Sequence, residues 1–150
     1  MITLTYKDIN STDFISTMRQ LSGVKGLGIK TAYTIAKVMV KMEQEMKVAG
    51  ELYTKLIKKY AKLDDKGELI PQTKTLSEKD QADKQVPIPG TFQILPNQEE
   101  AFVKEADEFM AISFQLGYNA IPLVELEGSG LSAMQLHIIS PIINPLELVK

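Results

Sequence analysis

Between Ile29 and Leu63 the apolar residues Ala32, Ile35, Met39, Met42, Met46, Ala49, Tyr53, Leu56, Tyr60 and Leu63 step alternately by three and four. That spacing averages about 3.5 residues, close to the helical repeat, and predicts one long helix with a continuous apolar seam. At ~1.5 Å per residue it would run roughly 50 Å, more than a compact domain of this length needs. Part of it is therefore expected to project or to pack against another copy. Gly50 is the position at which such a helix would bend.

Upstream, Ile2, Leu4 and Tyr6 alternate with Thr3 and Thr5, the period-two pattern of a half-buried strand. Ser11, Thr12 and Asp13 offer N-cap oxygens to a helix through Phe14, Ile15, Met18 and Leu21, which Gly23, Gly26 and Gly28 end. Downstream, Leu63 to Ile70 reads as a helix exit and a tight turn at Gly67 leading into a short strand. A calcium loop fits poorly there, because the acids do not fall at alternate positions and no glutamate closes the loop. Residues 72–86 are polar, with only Leu76, Ala82 and Val86 as apolar anchors, which predicts a mobile loop. Pro87 and Pro89 stiffen its exit, and Thr91 to Leu95 is expected to form another strand.

Asn97 with Glu100 has capping-box spacing and opens a second helix, in which Phe102, Ala106, Phe109, Ser113 and Leu116 repeat the three-four stepping. Two matching seams bury each other most simply as an antiparallel helical hairpin interrupted by a β-rich excursion. Ile121 to Leu126 predicts a further strand. Ser132 with Gln135 opens a last short helix through Leu136, Ile138 and Ile139, which Pro141 ends. The fold expected is α+β and mainly helical: a long antiparallel hairpin, a small β-sheet and a C-terminal short helix, in a single domain spanning 1–150. The tail from 141 to 150 carries Ile142, Ile143, Leu146, Leu148 and Val149. It must either pack back on the domain or make protein contacts with a partner.

Composition narrows this picture. A chain of 150 residues, 44% hydrophobic, buries one core without staples. It has no cysteine, so disulfide frameworks, thiolate nucleophiles and cysteine-ligated metal sites are excluded. The start, MITLTYKDIN, lacks the basic and apolar regions of a signal peptide, and no stretch approaches ~18 apolar residues. The expectation is a cytoplasmic protein with no membrane partner. Residues 1–63 hold eleven Lys/Arg against five Asp/Glu, and residues 64–150 hold six against fourteen, so the halves carry +6 and −8. Within one compact domain they neutralise each other. Exposed, they mark an anionic partner for the basic half, or head-to-tail self-association.

Reagents for catalysis are scarce. His137 is the one histidine, set in an apolar helix where a structural imidazole is expected, and no serine sits in a nucleophile elbow. Glu99, Glu100, Glu105 and Glu108 share a helix, but helical acids without histidine read as a solvated face. The sequence therefore predicts no enzyme, no catalytic residue, no metal and no cofactor.

Two resemblances point to function. Val24-Lys25-Gly26-Leu27-Gly28-Ile29-Lys30-Thr31-Ala32-Tyr33-Thr34-Ile35 resembles a helix-hairpin-helix motif: an apolar residue, Gly-apolar-Gly, then Ala four after the second Gly and Ile three later. In that family the glycine hairpin lets backbone N–H groups approach a nucleic-acid phosphate at a helix N-terminus. The resemblance implies that Gly26 and Gly28 shape the hairpin, that Lys25 and Lys30 add charge, and that DNA is a partner. The same glycines also suit an ordinary turn between helices, with Ala32 admitting close packing.

The second resemblance covers more of the chain. A short N-terminal helix, a long basic helix with Glu45, Glu51 and Tyr53, then Lys59-Tyr60 and Asp65-Lys66-Gly67, a late acidic helix and an Ile-Pro-Leu segment are together similar to small tailed-phage proteins encoded among structural genes. It implies a virion or assembly component, located in the host cytoplasm and the virion. Its partners would be other assembly proteins and further copies of itself, and it transfers no site residues. The leading expectation is a non-enzymatic structural or interaction protein, with a nucleic-acid backbone binder as the alternative.

Overall fold

The computed structural model describes residues 1–76 and 84–144. The chain is mixed α+β and mainly helical, as the pattern predicts. It divides into two compact units, one of Met1–Gly50 with Phe109–Lys150 and one of Glu51–Glu108. The long helix α3, Ile29–Tyr60, is unbroken at Gly50.

In the first unit, strand β1 (Thr3–Thr5) runs directly into helix α1 (Tyr6–Asn10). Thr5 is the switch. Its hydroxyl accepts from the Asp8 backbone N–H at 3.2 Å, and the Asp8 carboxylate accepts from the Thr5 N–H at 2.8 Å, a reciprocal cap. Ser11 caps the next helix, α2 (Thr12–Ser22), by accepting from the Phe14 N–H. Ile2, Leu4, Ile9, Phe14, Met18 and Leu21 are fully buried and form the centre of this unit, with Ile35, Val38 and Met42 of α3.

The second long helix is shorter than its stepping predicts. Helix α4 spans Glu99–Met110, with the Phe102 N–H bonded to the Gln98 carbonyl, while Asn97 takes φ 63 and does not cap it. Ser113 and Leu116, expected on this helix, lie on and beside strand β4 (Ser113–Gln115), antiparallel to β1 with Leu4 opposite Phe114. The backbone bonds Ile2 N–H to Tyr118 O and Tyr6 N–H to Ile112 O extend the pairing at both ends. Phe114 and Leu116 also fit a period of two, and the unpaired edge of β1 decides between the two readings.

The rest of the first unit follows Gly117. Strand β5 is only Ile121–Pro122, and Leu123–Leu126, expected as strand, is a 3-10 turn. Helix α5 (Ala133–Ile138) has the Ser132–Gln135 capping box that the sequence predicts. Its Gln135 amide reaches the Gln20 side chain of α2 at 2.8 Å. His137 is exposed on α5, not the buried structural imidazole expected. A 3-10 turn at Ser140–Ile142 leads into strand β6 (Ile143–Asn144), parallel to β5.

In the second unit the predicted turn forms: Gly67 has φ 77, and the Asp64 carboxylate accepts from the Lys66 and Glu68 N–H groups at 2.9 Å. The expected mobile loop begins and ends as an antiparallel ladder of strands β2 (Thr73–Leu76) and β3 (Lys84–Pro87), and its middle lies outside the described residues. Thr91 to Leu95 makes only a bridge, Ile94 with Ala61, tied by Lys62 N–H to Gln93 O and Leu95 N–H to Tyr60 O. Among the described residues the three strand pairings are thus separate, not one sheet. The end of α3 meets α4 in a hairpin-like pairing, with Tyr60 and Phe92 each edge-on to Phe102.

Tyr6 offers a pH test of the first unit. It is buried against Phe109 and Phe114, with its hydroxyl bonded to the Glu45 carboxylate. Burial first, and the Glu45 charge second, raise its pKa above the ordinary 10.0. The fold holds the neutral phenol, so the stability this adds is complete below pH ~10 and is lost as pH rises through the higher folded value. Denaturation followed between pH 9 and 12 is expected to show a decline above pH ~10 that Tyr6→Phe makes shallower. An equally steep decline in the variant would contradict this assignment.

Candidate interaction surface

Helix α3 buries a stripe of Thr31, Ile35, Val38, Met42 and Ala49, stepping by four, three, four and seven. This is the predicted seam shifted by one residue at its start. Ala32, expected inside, is exposed, while Met39 and Met46 are half-buried. The Thr31 side chain is accepted in the interior because its hydroxyl donates to the Glu125 carboxylate.

A second apolar stripe lies on the same helix, and the sequence reading missed it. Ile29, Tyr33, Ala36 and Val40 fall at i, i+4, i+7 and i+11, about 160° round the axis from the buried stripe. Ile29 is 87% exposed, Tyr33 59% and Val40 52%. The signal is present in the spacing, but the predicted seam of Ala32, Ile35, Met39 and Met42 leaves out these four residues, and only the phase of the buried face sets them apart as a stripe. Lys37 borders the stripe with its ammonium 5.4 Å from the centre of the Tyr33 ring. From residue 29 to 41 the helix carries Lys30, Lys37 and Lys41 and no acid.

The glycine turn between α2 and α3 brings Lys25, Gly26, Gly28 and Lys30 together on the surface, all exposed. Gly26 has φ 95, a backbone conformation that favours glycine. The Ala32 N–H bonds to the Gly28 carbonyl, which makes Gly28 the cap of α3. No acid of α3 lies in its own first turn, and the chain supplies one from elsewhere. The Glu125 carboxylate accepts from Thr31 and approaches to 3.9 Å of where a Gly28 Cβ would stand. A resident anion thus occupies the positive end of the helix dipole.

Of the expected tail contacts, Ile142 is fully buried in the core of the first unit, and Ile143, half-buried, pairs with Ile121. Ile142 therefore completes the chain's own core and offers no surface to a partner. Leu146, Leu148 and Val149 lie outside the described residues.

On α4, Glu105 is drawn out of the acidic face. It accepts from the Tyr60 hydroxyl and from Lys59 at 3.0 and 3.1 Å. The Tyr60 bond first, and Lys59 second, hold its carboxyl below the usual range, while Glu105 raises both Tyr60 and Lys59. Glu99, Glu100 and Asp107 remain exposed around Val103, itself 54% exposed, and Glu108 is exposed further round the helix. Among the described residues no group of three or more His, Asp or Glu is placed to hold a metal ion, and no helix is long and apolar enough to cross a membrane. No family model, curated protein or solved structure matches the chain.

Proposed function

We propose that this protein is a non-enzymatic assembly subunit, a virion or assembly component of the tailed-phage kind, which associates with copies of itself and with other assembly proteins in the host cytoplasm. The observation that carries this reading is the second stripe of α3. An amphipathic helix with one buried face needs no further apolar face, and solvating Ile29, Tyr33 and Val40 costs free energy that association recovers. The scarcity of catalytic side chains in the sequence supports it.

The alternative, a nucleic-acid backbone binder, draws support from the exposed turn of Lys25, Gly26, Gly28 and Lys30. Against it weighs Glu125, whose carboxylate stands where a phosphate would have to bind and would repel it.

Sedimentation of the Tyr33→Glu/Val40→Glu variant beside the unaltered chain tests the leading reading. Both sites are exposed, so thermal stability should change by no more than about 0.5 kcal/mol per substitution. The unaltered chain is expected to sediment above the monomer, and the variant as monomer. A variant that sediments like its parent would remove the α3 stripe from the function.

A further inference from the structure

We propose that the occupant of the α3 stripe is the acidic face of α4 of a second copy, so that the protein associates with itself through two unlike faces. This rests on the assembly reading above and names its partner surface. The two faces match in three ways. They are of comparable length, about three helical turns or roughly 17 Å from Ile29 to Val40 and about two turns or 12 Å from Glu99 to Asp107. Each has an exposed apolar centre, Tyr33 with its neighbours on one and Val103 on the other. Their charges are opposite: Lys30 and Lys37 edge the first, with no acid between residues 29 and 41, and Glu99, Glu100 and Asp107 surround Val103 on the second, relieved by Lys104.

The basic stripe does not complement itself, so each contact joins two different faces, α3 of one copy to α4 of another. Where the two faces meet different neighbours the contact is heterologous, and association continues until the rotation closes a ring or a filament forms; where both meet the same neighbour, it ends at a two-fold pair. Two helical faces of this length bury less surface than a standard stable interface, so each contact is weak and salt-sensitive. The +6 and −8 halves of the sequence then serve assembly as well as solubility.

A charge swap tests this with the full chain. Lys30→Glu/Lys37→Glu makes the α3 face acidic, and Glu99→Lys/Asp107→Lys makes the α4 face basic. Each variant alone is expected to associate at least about tenfold more weakly than the unaltered chain, because like charges then face each other. Mixed in equal amounts, the two regain the parental association, since every contact is again between opposite charges. Thermal unfolding of each variant checks that it is folded. If the α4 reversal leaves association unchanged while Tyr33→Glu/Val40→Glu abolishes it, the assembly reading stands and α4 is not the partner surface. If both reversals weaken association but the mixture does not recover it, the pairing of these two faces is equally overturned.

Discussion

Ile142→Asp is expected to unfold the first unit. Ile142 is fully buried beside Ile139 and ends the turn that delivers Ile143 to its pairing with Ile121. Removing its side chain alone would cost about 2–4 kcal/mol, and a carboxylate in that position adds the penalty of an unpaired buried charge or of protonating it. Against a total of about 5–15 kcal/mol for a domain, the folded state is largely lost at room temperature. Circular dichroism with a thermal scan reads this directly. A variant that keeps the parental transition would return Ile142 to the surface role that the apolar tail had implied.

Phe14→Ala is the second large effect. Phe14 is buried one turn into α2, its own N–H held by the Ser11 cap and its ring packed in the centre of the first unit. Deleting a buried phenyl ring costs about 3–5 kcal/mol, the transfer of the lost atoms plus the cavity left behind. For a chain of this size that shifts the unfolding midpoint by about 8–15 °C. A shift under about 2 °C would mean that Phe14 is not at the centre of the core.

Local pattern carried much of the fold. The Ser11 cap of α2, the length of α3, the turn at Gly67 and the Ser132–Gln135 box all lie where short-range spacing places them. What local pattern could not carry was pairing across the chain. Ser113 to Leu116 reads as the end of a helix until β1 is present to pair with it, and the ends of the polar 72–86 segment become strands only through each other. Ile142 looked like a tail residue for the same reason, since its burial depends on residues far upstream. The candidate surface was half legible: the charge asymmetry was visible, but an apolar stripe opposite a buried one emerges only when the phase of α3 is fixed. Thr31 is buried where Ala32 was expected, and the carboxylate that satisfies its hydroxyl, Glu125, lies 94 positions away in sequence.

On the proposed function, the exposed stripe of α3 is covered by a second copy of the chain. The most direct measurement is the light-scattering molar mass of the unaltered chain over a hundredfold range of concentration, at low and at moderate salt. The mass is expected to rise above the monomer with concentration and to fall back as salt is added, with no change when a short DNA duplex is present. A monomer at every concentration, or one that gains mass only with the duplex at low salt, would contradict it.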